Sequence, residues 1–504
     1  MVLKQRLARS GTSRLLALIV GFSLILGACG TAASPAPPSQ AASQPASQAA
    51  LPSPTEAPAI TAPPIDTSAP GPNGGVVVRW FVGLGAGGQP QQLQAEAEFV
   101  NNYNNSQKDV YIALEIYNNN VAANILKTQI AAGNAPDIIG PVGVEGLNLF
   151  RDQILDLQPL IDKNNYSVAG VPQELVDFFK LGENNATIGV PFAVYPSFIY
   201  YNKDLFDEAG LPYPPTKVGD KYDGKDWSID TLRETAMKLT VDANGNDATS
   251  AEFDATKVVQ WGFDMQYADN SPRAEAAIWG GNTLVEDDGK TAVIPDSVRT
   301  GEKWFNDGVW KDHFIPSTAQ IQSDLLDKGN EFESGNLAMN LSHTWFTCCV
   351  YPAAPAAPKV KNFGFAIAPS VDGKITAKLH ADTFSILKST KVPDAAWTAL
   401  TALVASPELL TLYGAMPADP SKQQAFFDTT NANFPGQTLD WTVPQAMLNY
   451  PDIPNHQSWV PNYAKAKPAW QAFQNNYRGK DGVDIDAELD KLKDTLQGIY
   501  DEVQ

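Results

Sequence analysis

Val190 to Gly210 reads VPFAVYPSFIYYNKDLFDEAG. Its first part, through Tyr201, alternates β-formers with small residues, which predicts an extended segment. Asn202 follows as a helix N-cap, because its side-chain oxygen can accept a backbone N–H of the first turn. Lys203 to Ala209 then form a short helix. Gly210 closes it, in the left-handed conformation that glycine enters freely. A strand that runs straight into a capped helix can carry the chain from one domain to another.

The composition suits a large folded core around this stretch. The chain has 504 residues, enough for two or three domains, and 43% of them are hydrophobic. Its net charge of −20 argues against nucleic-acid phosphates as a partner. The first 28 residues have the pattern of an export signal. Lys4, Arg6, Arg9 and Arg14 precede or flank the apolar run Leu15–Leu26, which is too short to span a bilayer. That run ends in Leu26-Gly27-Ala28-Cys29, which resembles a bacterial lipobox and implies cleavage before Cys29 and a lipid on its sulfur. The other reading is an ordinary signal with a stray cysteine. From Gly30 to Asn73 the chain is Ala, Pro, Ser, Gln and Thr with almost no large apolar residue, which predicts a disordered tether. About 45 such residues reach ~40 Å as a flexible coil and ~140 Å fully extended.

From Gly74 strands and helices alternate, which predicts an α/β fold. Val76–Val82 is a strand, and the loop Gly83-Leu84-Gly85-Ala86-Gly87-Gly88 follows it. The loop formally fits a dinucleotide fingerprint, with Glu115 ending the next strand, but an exported protein has no regular supply of NAD. The better reading is a glycine loop that brings backbone N–H groups and a helix N-terminus to a cleft. The helix after it should bury Leu93, Ala97 and Val100. Tyr111–Ile116 is a second strand, Ala122–Ala132 a helix closed by Gly133, and Ala135 to Ile139 the start of a core strand. Its exit loop, Gly140 to Gly146, should face the cleft, because open α/β sheets bind ligands beyond the carboxyl ends of their strands. Glu145 is the polar residue there, either a ligand contact or a solvated surface acid. Ser228 caps a helix that buries Leu232, Ala236 and Leu239. Pro393–Ala405 is amphipathic, and the last helix carries Ile485, Leu489, Leu492, Leu496, Ile499 and Val503 at 4-3-4-3-4 spacing.

Taken in order, these motifs resemble the extracellular solute-binding proteins of ABC importers, the maltose-binding-like family. The hinge stretch is similar to its VP…YNKDLF-x-x-AG pattern. Ala135-Pro136-Asp137-Ile138 matches its strand start, Phe332 to Met339 its F-x-x-G-x-x-AM turn, and Gly364–Pro369 its G-x-x-x-x-P strand. The resemblance covers Gly74 to the C-terminus. It implies a two-lobed periplasmic-binding-protein type II fold with a hinge and a ligand cleft between lobes. Residues 74–193 and 379–432 would form one lobe, and 194–378 with 433–504 the other. It further implies a monomer that captures a small ligand, most readily a sugar or polyol, and presents it to membrane permease subunits, with no cofactor and no metal. Lipid on Cys29 would hold it at the outer face of the cytoplasmic membrane.

The resemblance also marks the residues expected at ligand. From the first lobe these are Gly83, Leu84, Gly85 and Glu145, with Tyr195 at the hinge and His380 and Asp382 at the second crossover. Tyr195-Pro196-Ser197-Phe198 departs from several sugar binders, which carry an acid and small residues there. From the second lobe come Tyr267, Asn270, Arg273, Trp279 and Asn282, then His343 and Trp345 after the F-x-x-G-x-x-AM strand. Trp80, Trp279, Trp345 and Trp459 are candidate platforms for sugar faces, or else core residues. Trp345 and Trp459 are favoured for the cleft because they sit at motif ends, outside periodic runs.

No residue set marks catalysis. His313, His343, His380 and His456 have no metal-ligand spacing, and there is no G-x-S-x-G, H-E-x-x-H or Walker loop. A secreted hydrolase and a surface adhesin are the competing classes. Cys348 and Cys349 are adjacent, and two readings stand for them, a vicinal disulfide or two free thiols. Neighbouring Cα atoms lie about 3.8 Å apart, closer than the roughly 4.4–6.8 Å that disulfides prefer.

Overall fold

The computed structural model describes residues 69–503 apart from 89–91, 169, 181–185, 267, 269–270 and 353–356. Cys29, the export signal, the tether through residue 68, Tyr267 and Asn270 lie outside the described residues; the last residues expected in the tether belong to the fold, because Asn73 Nδ2 donates to the Asn104, Gln107 and Val110 carbonyls. Eleven strands matter for the site: β1 (Val76–Val82), β2 (Val110–Ile116), β3 (Ile138–Gly143), β4 (Val190–Pro196), β5 (Phe198–Asn202), β6 (Val241–Asp242), β7 (Val258–Asp264), β8 (Leu337–Ser342), β9 (Phe363–Ala366), β10 (Leu379–Ile386) and β11 (Met416–Pro417). The helices used below are α1 (Leu93–Ser106), α2 (Asn119–Ala131), α3 (Val144–Phe150), α4 (Lys203–Ala209), α5 (Ile229–Leu239), α6 (Pro272–Glu275), α7 (Asp296–Trp310), α8 (Pro393–Ala405), α9 (Tyr463–Gly479) and α10 (Ile485–Asp501).

Two sheets form two α/β lobes. The first runs β11-β4-β10-β3-β1-β2, and the second β9-β5-β8-β7-β6. In the first, β1 pairs in parallel with β2 and β3, while β10 runs antiparallel to β3 and β4. Val78, Trp80 and Val82 of β1 enter one apolar cluster and Phe81 the other, so this strand is buried on both faces. Parallel sheets covered by helices read that way. Helix α8 lies against β10 and β1, and buries Ala396, Trp397, Leu400 and Val404 as its spacing predicts.

The quoted stretch joins the lobes. β4 belongs to the first sheet and β5 to the second, and the chain crosses at Ser197. Asn202 accepts the Asp204 N–H at 3.1 Å, and Gly210 ends α4 at φ 67°. A second crossing lies beside it. Ser197 N–H donates to the Lys378 carbonyl at 2.8 Å, and Lys378 N–H returns to Ser197 Oγ at 2.9 Å. A third segment joins them, with Ala377 N–H on the Tyr450 carbonyl at 2.7 Å and Asp452 N–H on the Ala377 carbonyl at 3.0 Å.

Three expectations are corrected. Helix α1 buries Glu96, Val100 and Asn104 and leaves Ala97 exposed. Both polar residues have partners that make burial possible: Tyr413 Oη donates to Glu96 at 2.7 Å, and Asn104 pairs with both backbone groups of Ile112. The segment after Ile139 is not a loop, because β3 continues to Gly143 and α3 begins at Val144. On α10, Tyr500 is the buried residue of the last turn, Ile499 is half-buried and Val503 is exposed. The Tyr500 hydroxyl reaches the Leu284 carbonyl at 3.2 Å, which draws that face inward.

Candidate functional site

Strand direction fixes where a ligand can bind. In the first sheet β1 and β3 end at Val82 and Gly143, and the antiparallel β10 starts beside them, with Asp382 opposite Gly143 and His380 opposite Tyr195. In the second sheet the parallel strands β7 and β8 end at Asp264 and Ser342, and Ser342 pairs with Phe198 at the crossing. Both sheets therefore turn strand ends toward the hinge segments, as open α/β sheets do at their binding crevices.

The floor between them is a ring cluster. Trp345, half-buried, has its ring centroid 4.1 Å from His343, 4.9 Å from His380 and 5.0 Å from Tyr195. His380 lies 4.6 Å from His343 and 4.5 Å from His456. Thus three of the four histidines meet at the hinge. Burial holds all three well below the usual imidazole range, aided by one another and by the charge of Lys378. They are neutral there. His343 Nδ1 sits 2.8 Å from the Tyr195 carbonyl, which only an N–H can approach, so Nε2 is left as a bare acceptor. That nitrogen is buried and has no hydrogen-bond partner among the described residues. Asp382 joins the cluster through Tyr195, whose Oη lies 3.4 Å from its Oδ2, and burial pushes its carboxyl up to about 7.

Three residues outside the expected set complete the floor. His456 Nδ1 is 2.5 Å from Asp452 Oδ2, His456 Nε2 is 3.2 Å from His380 Nε2, and Gln457 Nε2 is 2.7 Å from His380 Nδ1. The segment Pro451-Asp452-Ile453-Pro454-Asn455-His456-Gln457 carries no motif. Its one signal is the Asp-to-His spacing of four in a turn-rich stretch.

Across the cleft, α3 and the turn after it face the segment that leads into α9. Glu145 pairs with Lys467, Asn148 Nδ2 donates to the Gln457 carbonyl at 3.1 Å, and the Arg151 guanidinium lies 3.9 Å over the Trp459 ring. Glu145 and Trp459 thus contact the opposite lobe. Gly83, Leu84 and Gly85 line the end of β1, and Gly85 approaches the Pro141 carbonyl so closely that a Cβ would lie 2.8 Å from it.

Other expected residues stand elsewhere. Trp80 is core: it is fully buried, its Nε1–H donates to the Gly140 carbonyl at 2.7 Å, and it packs on Phe99 and Phe384. Trp279 packs on Trp304 and Phe305 of α7. Asn282 is buried behind Gly280. Arg273 is buried over Trp470, with Nη1 on the Ser458 carbonyl at 3.2 Å, where it holds the turn that presents His456 and Gln457. Cys348 and Cys349 are thiols whose sulfurs touch at 2.8 Å, and Cys348 opens on a shallow cavity beside Tyr351 and Gly414.

The model of the family "bacterial extracellular solute-binding protein" matches residues 85–408, more than half of the chain. The chain belongs to that family. It is thus an extracellular solute-binding protein, in a family of binding proteins. Solved structures agree in fold. An ABC substrate-binding protein from Listeria monocytogenes, in complex with cycloalternan, superposes with TM-score 0.65 at 17% identity over 84% of this chain and 98% of its own. A sugar transporter protein from Rhizobium etli, in an open conformation, gives TM-score 0.62 at 20% identity over 84% and 99%. A solute-binding protein from Agrobacterium radiobacter with ribitol gives 0.62 at 17% identity over 85% and 100%. These likenesses establish the two-lobed α/β fold with a hinge and a cleft. No curated protein matches the chain.

Proposed function

We propose that this protein captures a carbohydrate or polyol between its lobes by hinge closure and hands it to the permease of an ABC importer. The observation that carries this is the cleft floor. A half-buried indole lies beside buried polar atoms that lack partners among the described residues, His343 Nε2 and Gln457 Oε1. An aromatic face suits the C–H side of a sugar ring, and polar atoms beside it suit hydroxyls. The ligands of the similar structures, cycloalternan and ribitol, point the same way. In this reading the protein acts as a monomer, residues 74–193 and 379–432 move as one lobe against 194–378 with 433–504, and Cys29 carries the lipid that tethers it to the outer face of the membrane. Catalysis is not required of it. Calorimetric titration with maltose, maltotriose, cycloalternan and ribitol tests the reading. Saturable binding, with the saccharide recovered unchanged after denaturation, is expected. Recovery of cleaved saccharide would favour a hydrolase, and binding without compaction of the protein would favour an adhesin.

A further inference from the structure

Asp452 ties the hinge together as an acceptor. Its Oδ1 takes the Leu379 N–H at 2.8 Å and Asn455 Nδ2 at 2.9 Å, and its Oδ2 takes the His456 N–H at 2.9 Å. Burial pushes this carboxyl up to about 7, against the pull of those backbone N–H groups and the charge of Lys378. With three N–H donors already on its two oxygens, the carboxyl is held as an acceptor.

This fixes the direction of every bond that follows. His456 must donate from Nδ1 to Asp452, so its Nε2 is bare. His380 must then donate from Nε2, so its Nδ1 is bare and accepts from the Gln457 amide nitrogen. Gln457 is left with Oε1, a buried oxygen with no partner among the described residues. Gly143 faces it without a side chain, and the Ala381 carbonyl would stand 3.6 Å from a Cβ there. A Cβ there would stand 3.9 Å from Gln457 Oε1 and 3.1 Å from Asp382 Oδ1. Both oxygens therefore lie within 4 Å of the Gly143 Cβ position, and a buried acceptor without a donor is unfavourable.

We propose that Asp452 and His456 are positioning residues for the ligand: through His380 they orient the Gln457 amide so that its oxygen accepts from a ligand hydroxyl beside Asp382. This rests on the carbohydrate reading above and narrows it, since a ligand group that offers only acceptors is refused there. Reversal of the chain, which needs a protonated Asp452, would present the Gln457 NH₂ instead.

Two measurements on the full chain at pH 8 decide. The chain has four histidines, so long-range ¹H–¹⁵N spectra of protein labelled at histidine resolve each ring. His380 should carry its proton on Nε2, and His456 and His343 on Nδ1. A proton on His380 Nδ1 overturns the proposal. Second, His456→Phe keeps the volume but loses the acceptor, whereas His456→Gln offers Oε1 near the place of Nε2. Titration with maltotriose, cycloalternan and ribitol should show about a tenfold loss of affinity in His456→Phe, with most of it recovered in His456→Gln. A packing role predicts the reverse order, because Phe fills the site better, and equal loss in both variants also overturns the proposal. If the wild type binds none of the three probes, the carbohydrate reading falls and the role of Gln457 with it, while the ring protons still decide the chain of bonds.

Discussion

Trp345→Ala separates cleft from core. The indole touches Tyr195 and His380 of the first sheet and His343 of its own lobe. Ring pairs of this kind contribute ~0.5–1.5 kcal/mol each beyond area burial. Two of the three join the two sheets at the hinge, so the substitution removes ~1–3 kcal/mol of contact between the lobes. A ligand that favours the closed form loses apparent affinity accordingly. If it binds near 1 μM, for a total of about −8 kcal/mol, losing a central aromatic should weaken it by ~2 kcal/mol, about thirtyfold. Stability should fall less than in Trp80→Ala, because Trp345 is only half-buried. Trp80 is 0% exposed and bonded to Gly140, and a core Trp→Ala costs ~3–5 kcal/mol. Calorimetric titration and melting of both variants give the answer. Unchanged affinity in Trp345→Ala, with a melting loss as large as that of Trp80→Ala, would place Trp345 in the core and the ligand elsewhere.

Three further outcomes are expected. Glu96 is raised by burial to about 8, offset in part by the Tyr413 hydroxyl; the native state therefore keeps a proton that the unfolded state releases above about pH 4.5, so this group's stabilisation is complete below pH 4.5 and is lost as pH rises to about 8. Glu96→Gln should flatten that slope in denaturant titrations at pH 5, 6.5 and 8, and an unchanged slope would remove Glu96 as its source. Cys29→Ser should release the protein from the membrane fraction with ligand affinity unchanged; a variant that stays on the membrane would rule out the lipid anchor. For Cys348 and Cys349, mass spectrometry of unreduced, denatured protein should find two alkylated thiols, and finding none would show that oxidation outside the cell joins them.

The fold was legible where local chemistry is self-contained. The strand, cap and glycine of Val190–Gly210 need only neighbours in sequence, and they formed as read. Helix α1 departs from its sequence pattern because its buried face is decided by Tyr413, 317 residues from Glu96. Trp80 resembled a platform in sequence, but its alternation with Val78 and Val82 places it inside. The site was half legible. Tyr195, His343, Trp345, His380 and Asp382 meet at the hinge, because strand ends marked by motifs converge there. Asp452, His456 and Gln457 escaped notice, since their roles exist only once Tyr450–Asp452 lies along Ala377.

Small-angle scattering of the full chain with and without a saturating saccharide shows whether the two lobes close on a ligand held between them. A smaller radius of gyration in the liganded protein, growing with calorimetric occupancy, is the predicted result. Full occupancy with an unchanged scattering curve would contradict it.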